Sequence, residues 1–156
     1  MKIEWKKLLI CLGIPLAVGG LSALLGFGGM SEFETLNQPP LSPPGWLFPV
    51  VWTILYLLMG YASYRVLTSG AEPQKIRQAL ILYGAQLFFN FLWTPVFFGL
   101  EWRLVAFLIL LILWVLIYLT MRAFSNVDEL AGTLLLPYIL WVTFAGYLNL
   151  GIYFLN

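Results

Sequence analysis

Long apolar stretches alternate with short polar segments along the whole chain. Five stretches are nearly free of charge, and they cover about residues 8–27, 48–67, 79–100, 104–124 and 130–154. A helix of about 20 residues crosses a bilayer core of about 30 Å, and only helices or closed barrels satisfy their backbone polar groups there. The pattern therefore predicts an all-α, polytopic membrane protein, a five-transmembrane-helix bundle that forms a single domain over residues 1–156.

Polar and ring-bearing positions gather on one face of three of these spans. In the third span, an arc of about 100° on the helical wheel holds Tyr83, Gln86, Asn90, Trp93, Thr94 and Phe97. The corresponding face of the second span holds Trp52, Tyr56, Met59 and Ser63. That of the fifth holds Trp141, Ala145, Leu148 and Ile152, with Tyr138 and Asn149 at its edges. Polar side chains are costly toward lipid, so these faces are expected to turn inward and enclose a cavity.

The connection between the first two spans, about residues 28–46, is long and rich in proline and apolar residues. Prolines such as Pro43 and Pro44 stiffen a loop, and a long loop in a small domain is usually functional or disordered. This one is too apolar for a free linker. We expect it to pack over the bundle as a lid, with Trp46 at its edge.

The other two spans differ in character. The fourth is large and apolar on every face, which favours broad lipid contact. The first carries small residues at four-residue spacing, which permit close helix approach, namely Gly13, Ala17 and Gly20, and Gly19 and Ala23. Pro95 and Pro137 lie inside the third and fifth spans and are expected to kink them.

The candidate ligand-binding residues come from these inward faces and from the edge of the lid. They are Trp46, Trp52, Tyr56, Gln86, Asn90, Trp93, Trp141, Ala145 and Leu148, with Pro43 and Pro44 in the lid loop. Indole supplies flat apolar area with an N–H donor at its rim. Alternatives stay open: Gln86 and Asn90 as interhelical hydrogen bonds, the inner tryptophans as bundle packing, and Trp46 as an interfacial belt residue.

Composition excludes several kinds of chemistry. The chain is 62% hydrophobic and 10% charged, and it contains no histidine and one cysteine, Cys11. Neither a metal site nor a cofactor is expected, and no nucleophile–base pair or carboxylate pair suggests a catalytic site. The net charge of +1 gives no reason to expect a nucleic-acid partner. Charged groups are missing from the middle of every span, which disfavours proton relays and ion-coupled transport.

The few charges predict an orientation. Seven of the eight basic residues fall on one side, namely Lys2, Lys6, Lys7, Arg65, Lys75, Arg77 and Arg122, while the other side has Arg103. The positive-inside rule then places the N-terminus in the cytoplasm and the C-terminus and lid outside. The apolar run of the first span is longer than a signal-peptide core and no A-x-A pattern follows, so we expect it to be retained.

Three segments resemble a known family. They read PPGWLFPVVWTILYLLMG at residues 43–60, LYGAQLFFNFLWTPVFFG at 82–99 and LPYILWVTFAGYLN at 136–149. They resemble the TspO/MBR family, which comprises the tryptophan-rich sensory proteins of bacteria and the translocator proteins, or peripheral benzodiazepine receptors, of mitochondria. The family's pocket positions correspond here to Trp52, Asn90, Trp93, Trp141 and Ala145.

The resemblance implies a membrane receptor or sensor that binds porphyrins, such as protoporphyrin IX, and related flat apolar ligands. It also implies a homodimer, in the cytoplasmic membrane of a bacterium. The alternatives are light-dependent porphyrin breakdown, in which Trp52 and Trp141 would take part, and facilitated transport of porphyrins or other amphiphiles.

The chain departs from the family pattern in its first loop and near its C-terminus. Gln38 stands where the family usually has Lys, Leu41 where it has Trp, and Gly45 where many members have Arg. The lid loop thereby loses cations that could hold porphyrin propionates. Nothing basic follows Tyr147 or Tyr153, so the animal-type cholesterol motif is absent and sterol recognition through it is not expected.

Overall fold

Helices make up most of the chain in the computed structural model, which describes residues 2–26 and 30–156. In chain order they are α1 (Trp5–Gly26), α2 (Met30–Thr35), α3 (Leu47–Leu67), α4 (Pro73–Thr94), α5 (Arg103–Val127), α6 (Glu129–Thr133) and α7 (Leu136–Leu155). No strand occurs within those two ranges. The all-α class is confirmed.

Among the described residues, five segments are long and apolar enough to cross a membrane. They are Trp5–Gly26, Leu47–Leu67, Pro73–Gly99, Arg103–Val127 and Glu129–Leu155. The five predicted spans are thus confirmed, with shifted ends. The third begins at Pro73 rather than at residue 79, because proline is well placed in the first turn of a helix. The predicted end of the first span at Phe27, and the predicted start of the lid loop at Gly28, lie outside the described residues.

Prolines change the helices locally rather than ending the spans. The α4 helix stops at Thr94 and continues as one π-helical turn, Pro95–Gly99. Proline lacks the N–H of the regular i→i−4 ladder, so the wider turn forms where it stands. Consequently the neighbouring side chains Phe97 and Phe98 are both buried. In the last span, Pro137 lies in the first turn of α7, after the short α6 and a turn.

Packing is close between most neighbouring helices. The α1 helix packs on α3 and α4, α4 packs on α5, and α5 packs on α7. At the α1–α3 contact, a Cβ added to Gly60 would lie 2.7 Å from the carbonyl oxygen of Cys11. A Cβ on Gly19 would overlap the Tyr56 ring, whereas a Cβ on Gly13 or Gly20 would meet no atom of the described residues within 4 Å. Of the small residues predicted to mediate close approach, Gly19 does so, and Gly13 and Gly20 do not.

The α3 and α7 helices are the exception to this close packing. Their backbones scarcely approach each other within the described part of the chain. Aromatic side chains fill the space instead: Phe48 meets Trp141 with ring centroids 5.9 Å apart, and Trp52 meets Tyr138 at 6.2 Å. We call this side-chain contact the α3–α7 seam.

The two ends of the bundle differ. The lid end carries α2, the α4–α5 connection and the C-terminus, which bonds to the lid through Asn156. At the opposite end, Arg65 of α3 pairs with Asp128 at 3.1 Å, and the Asp128 side chain accepts a hydrogen bond from the Ala131 backbone N–H and so caps α6. That ion pair fixes α3 to the α5–α6 connection.

Candidate functional site

The lid is anchored in the bundle by one aromatic side chain. Phe33 of α2 is buried, and its ring meets those of Phe48, Phe97 and Phe98 edge-on, with centroids 5.1–5.9 Å apart. Edge-to-face contacts are a favourable arrangement of aromatic rings. Phe33 thus packs the described part of the loop against the bundle.

The rest of the lid is fastened to the end of α7. The Asn37 N–H donates to the Asn156 side-chain oxygen at 3.2 Å, and the Asn156 amide donates back to the Asn37 carbonyl at 2.8 Å. The Tyr147 hydroxyl donates to the Pro40 carbonyl oxygen at 2.6 Å. Pro39 packs directly on Gly151, where an added Cβ would lie 2.7 Å from the proline ring. We call these contacts the lid latch.

Below the lid, indole and phenol rings from three helices meet. Trp52 stacks on Tyr56 at 5.7 Å and lies 6.4 Å from Trp93 and 6.2 Å from Tyr138, measured between ring centroids. Trp93 in turn stacks on Phe97 at 5.0 Å with an interplanar angle of 22°. The predicted inward faces of the second, third and fifth spans therefore converge. We call these rings, together with Phe33, Phe48, Phe98 and Trp141, the aromatic cluster.

A chain of hydrogen bonds joins the same three helices beneath the rings. The Tyr56 hydroxyl donates to Asn90 Oδ1 at 2.8 Å, and Asn90 Nδ2 donates to the Tyr138 hydroxyl at 2.6 Å. That hydroxyl donates onward to Gln86 Oε1 at 2.6 Å. All four residues are buried, so the bonds satisfy polar groups that would otherwise be costly in a membrane. The interhelical interpretation of Gln86 and Asn90 is thus what the geometry shows.

A second polar link lies nearer the lid. Trp93 Nε1 donates to Asn149 Oδ1 at 3.0 Å, and Asn149 Nδ2 donates to the backbone carbonyl of Arg103 at 2.7 Å. This link ties α4, α7 and the start of α5 together and fixes the plane of the Trp93 ring.

The expected hollow is filled. The cavity between Phe33, Trp93, Phe97 and Ala145 has a volume of only about 10 Å³, about enough for one water molecule. The predicted cavity, open or able to open, is closed at its centre in this structure. The cause is the rings themselves, because Phe33, Phe97 and neighbouring phenylalanines pack edge-on across the centre and bury one another.

Most sequence-predicted site residues do lie together. Buried in or beside the aromatic cluster are Trp52, Tyr56, Gln86, Asn90, Trp93, Ala145 and Leu148. Trp141 is half-buried against Phe48, and its indole N–H has no hydrogen-bond partner among the described residues. The structure does not bring Trp46 to the cluster: it is 68% exposed before α3, where the membrane-interface interpretation suits it. Of the lid prolines, Pro43 is half-buried and Pro44 is exposed.

Sequence reasoning missed several members of this site. Tyr138 and Asn149 were placed only at the edge of a face, yet each makes two of the hydrogen bonds. Both are polar residues inside an apolar span, and that signal was available. Phe48 lies one turn before Trp52 and could have been found by the same spacing. Phe98 could not have been found in this way, because the π turn places it inward, whereas an α-helical wheel does not put it on the inward face.

Charge and metal ligands play little part in the cluster. Within residues 2–26 and 30–156, no group of three or more His, Cys, Asp or Glu side chains could hold a metal ion. The fold and the site together define a multi-pass helical membrane protein with an uncharged, lidded aromatic interior at one end of the bundle.

Comparison with known proteins gives the family. The model of the TspO/MBR family matches residues 11–155. Over 150 residues, the chain is 41% identical to the "Tryptophan-rich protein TspO" of Chlorobaculum tepidum, covering 96% of this chain and 95% of that protein. It is 40% identical to the "Tryptophan-rich sensory protein" of Cereibacter sphaeroides over 152 residues, covering 96% and 90%. Identity to the "Translocator protein" of Bos taurus is 37% over 125 residues, covering 78% and 72%. The chain belongs to the TspO/MBR family.

Proposed function

We propose that this protein is a membrane receptor or sensor that binds porphyrins of the protoporphyrin IX type, or related flat apolar ligands, beneath its lid. The observation that carries the proposal is the meeting of Trp52 with Trp93 and of Trp141 with Phe48, whose ring also meets Phe33 of the lid. Stacked and edge-on rings are the surface that a planar conjugated ligand needs. The family membership supports the same ligand class.

The α3–α7 seam is the route that makes room for such a ligand. In the described part of the chain the backbones of α3 and α7 scarcely approach each other, so rotation of Phe48 and Trp141 opens space without separating a closely packed pair of helix backbones. Release of Phe33 from the cluster opens the same space from above. A ligand that enters replaces ring–ring contacts with ring–ligand contacts, which keeps the apolar area buried.

Trp141 is suited to contact the ligand directly. Its indole N–H has no partner in the described part of the chain, whereas that of Trp93 is bonded to Asn149. A buried unpaired donor is unfavourable, so a ligand that brings an acceptor relieves that cost. Trp52, stacked on Tyr56, offers its face.

The test is titration of the purified protein with protoporphyrin IX, followed by the shift of the porphyrin absorption band and by quenching of tryptophan fluorescence. We expect the double variant Trp52→Phe, Trp141→Phe to weaken affinity about tenfold or more, since stacking on an aromatic ring contributes about 1–3 kcal/mol. The matched control is Trp5→Phe, because Trp5 is exposed at the opposite end. Unchanged affinity in the double variant would show that the ligand binds elsewhere.

The same complex distinguishes a receptor from an enzyme. Under illumination with and without oxygen, a receptor leaves the porphyrin spectrum as it is in protein-free detergent. If the absorption bands disappear only when both protein and light are present, the protein degrades porphyrin in a light-dependent reaction instead. Faster porphyrin flux into proteoliposomes than into protein-free vesicles would assign transport.

We further propose that the chain acts as one domain in a bacterial cytoplasmic membrane, as a homodimer, with its N-terminus in the cytoplasm. The clustering of basic residues at the end opposite the lid supports this orientation. Replacing Cys11 by Ala and introducing Ser42→Cys in the lid loop tests it. A membrane-impermeant maleimide should label that cysteine on intact cells, and protection until lysis would reverse the orientation.

A further inference from the structure

A second concave surface lies beside the aromatic cluster. It is a groove of about 750 Å³ at the lid end, between the α4–α5 connection and the end of α7. Its lining includes Glu101, Trp102, Arg103, Ile152, Tyr153 and Asn156. The volume is in the range of small-molecule sites, and the groove carries a cation.

Arg103 is held in an unusual state for a surface arginine. Its side chain is only 13% exposed, and its Nε is buried with no hydrogen-bond partner among the described residues. Among the described residues, the carboxylate paired with it is that of Glu101, which lies 3.8 Å from Nη2 on a side chain that is 45% exposed. An ion pair this long and this solvated contributes little. The guanidinium therefore lacks the strong anionic partner that a buried cation normally has.

The position of this cation ties the groove to the aromatic cluster. Arg103 Cζ lies 5.2 Å from the centroid of the Phe97 ring, and Phe97 stacks on Trp93. Ile152 lines both the groove and the small cavity at the centre of the cluster. A ring system seated against Trp93 and Phe97 thus has its edge beside Arg103.

We propose that Arg103 binds a carboxylate of the planar ligand, which makes the groove an anionic subsite of the aromatic site. This inference rests on the proposed function, because it names the charged group of the ligand that the rings would hold. The guanidinium donates charge-assisted hydrogen bonds to carboxylate oxygens, often two at once. Arg103 lines the groove and contacts the aromatic cluster through Phe97, so it is placed to meet an acid group at the edge of the ligand.

The same chemistry would also suit a lipid phosphate, since both are oxyanions at a membrane surface. The carboxylate is favoured by the contact of Arg103 with Phe97, which directs the cation toward the aromatic cluster rather than outward to the headgroups. The two sources predict different results when the ligand's own acid groups are removed.

The experiment compares protoporphyrin IX, a diacid, with its dimethyl ester, in a non-ionic detergent. We expect the unaltered protein to bind both and to prefer the diacid. Arg103→Gln should weaken diacid binding about tenfold and leave ester binding unchanged, because a hydrogen bond to a charged group is lost only with the diacid. Arg103→Lys keeps the charge and should recover part of the preference. The matched control is Arg122→Gln, an exposed arginine at the opposite end.

The outcomes separate the two proposals. Failure of the unaltered protein to bind either porphyrin removes the proposed function. Equal loss of diacid and ester binding in Arg103→Gln means that the variant disturbs the fold or the rings, and the carboxylate assignment is then wrong. An unchanged diacid-to-ester ratio also overturns it while the aromatic site stands. Co-purified anionic phospholipid that is lost in Arg103→Gln, with that ratio unchanged, would assign the groove to a lipid phosphate.

Discussion

The hydroxyl of Tyr138 occupies the centre of the buried polar chain. It accepts from the Asn90 amide and donates to the Gln86 carbonyl oxygen, whereas the Tyr56 hydroxyl makes a single bond. Removing the Tyr138 hydroxyl therefore leaves two buried groups, Asn90 Nδ2 and Gln86 Oε1, without that hydrogen-bond partner. Removing the Tyr56 hydroxyl does so for one group, Asn90 Oδ1. Orphaned groups cost more than the net contribution of the bond itself.

Tyr138→Phe is accordingly expected to destabilise the protein by about 1–3 kcal/mol, and Tyr56→Phe by about half as much. Thermal unfolding in detergent, followed by circular dichroism, measures both. Tyr153→Phe makes the same change at an exposed position of α7 and should alter stability little. Equal effects of the Tyr138 and Tyr56 substitutions would contradict the hydrogen-bond chain described above.

The sequence predicts that the residues of this polar chain face inward, but it does not predict which of them bond to each other. The wheel assigns Gln86 and Asn90 to a buried face because their spacing follows the helical period. Their partner Tyr138 lies about fifty residues further along the chain, and its choice depends on how α4 and α7 are rotated against each other. That rotation is a property of packing, which local periodicity does not contain.

At the scale of helices, the contact between α1 and α3 depends on a glycine, Gly60, which has no side chain to keep the helices apart. Gly60 lets the α3 backbone approach the carbonyl of Cys11, with the Cα of Leu12 also within 2.9 Å of an added Cβ. Close approach through small residues is a main source of helix association in lipid. The partners here are backbone atoms, which cannot rotate away as a side chain can.

Gly60→Ala is expected to separate α1 from α3 and lower stability by about 1–3 kcal/mol, as overpacking does. Gly84→Ala is the matched control: Gly84 is an exposed helical glycine in α4, and a Cβ added there meets no atom within 4 Å in the part of the chain that the structure describes. Since alanine favours helix over glycine, that variant should be neutral or slightly stabilised. Thermal unfolding of the two variants and the unaltered protein tests whether stability falls in Gly60→Ala and stays the same or rises in Gly84→Ala.

Hydropathy alone predicts all five spans, because a bilayer admits so few backbone solutions. The breaks within them are harder to locate. Pro95 and Pro137 both suggested kinks, yet Pro95 gives a π turn that continues the third span, and Pro137 opens α7 after a short separate helix. The local structure at each proline depends on which neighbouring groups bond to the carbonyls that the missing N–H leaves free. The tertiary fold decides which neighbours those are.

The whole molecule combines a tightly packed frame with one weakly closed region. Backbone-to-backbone packing joins the helices around the bundle in the order α3, α1, α4, α5 and α7, while the α3–α7 seam is closed by rings. The lid latch joins the lid loop to the last part of α7, from Tyr147 to Asn156. Composition predicted a lid, but its fastening to the C-terminus could not be predicted, because the two segments are more than a hundred residues apart.

If a planar ligand enters from above through the seam, the latch must open first. A covalent latch should therefore block binding. A Cβ built on Gly151 lies 2.8 Å from the Cβ of Pro39, so cysteines at both positions reach disulfide geometry, with Cβ atoms about 3.8 Å apart, after a small relaxation. The test uses the double variant Pro39→Cys, Gly151→Cys in a Cys11→Ala background. In its oxidised form, this variant should bind protoporphyrin IX at least tenfold more slowly than in its reduced form. Each single variant, treated with the same oxidant, should show no such change. Equal association rates in the oxidised and reduced forms would instead place entry at the side of the bundle, where a groove of about 170 Å³ beside Gly19 reaches Trp52 and Tyr56 from the lipid.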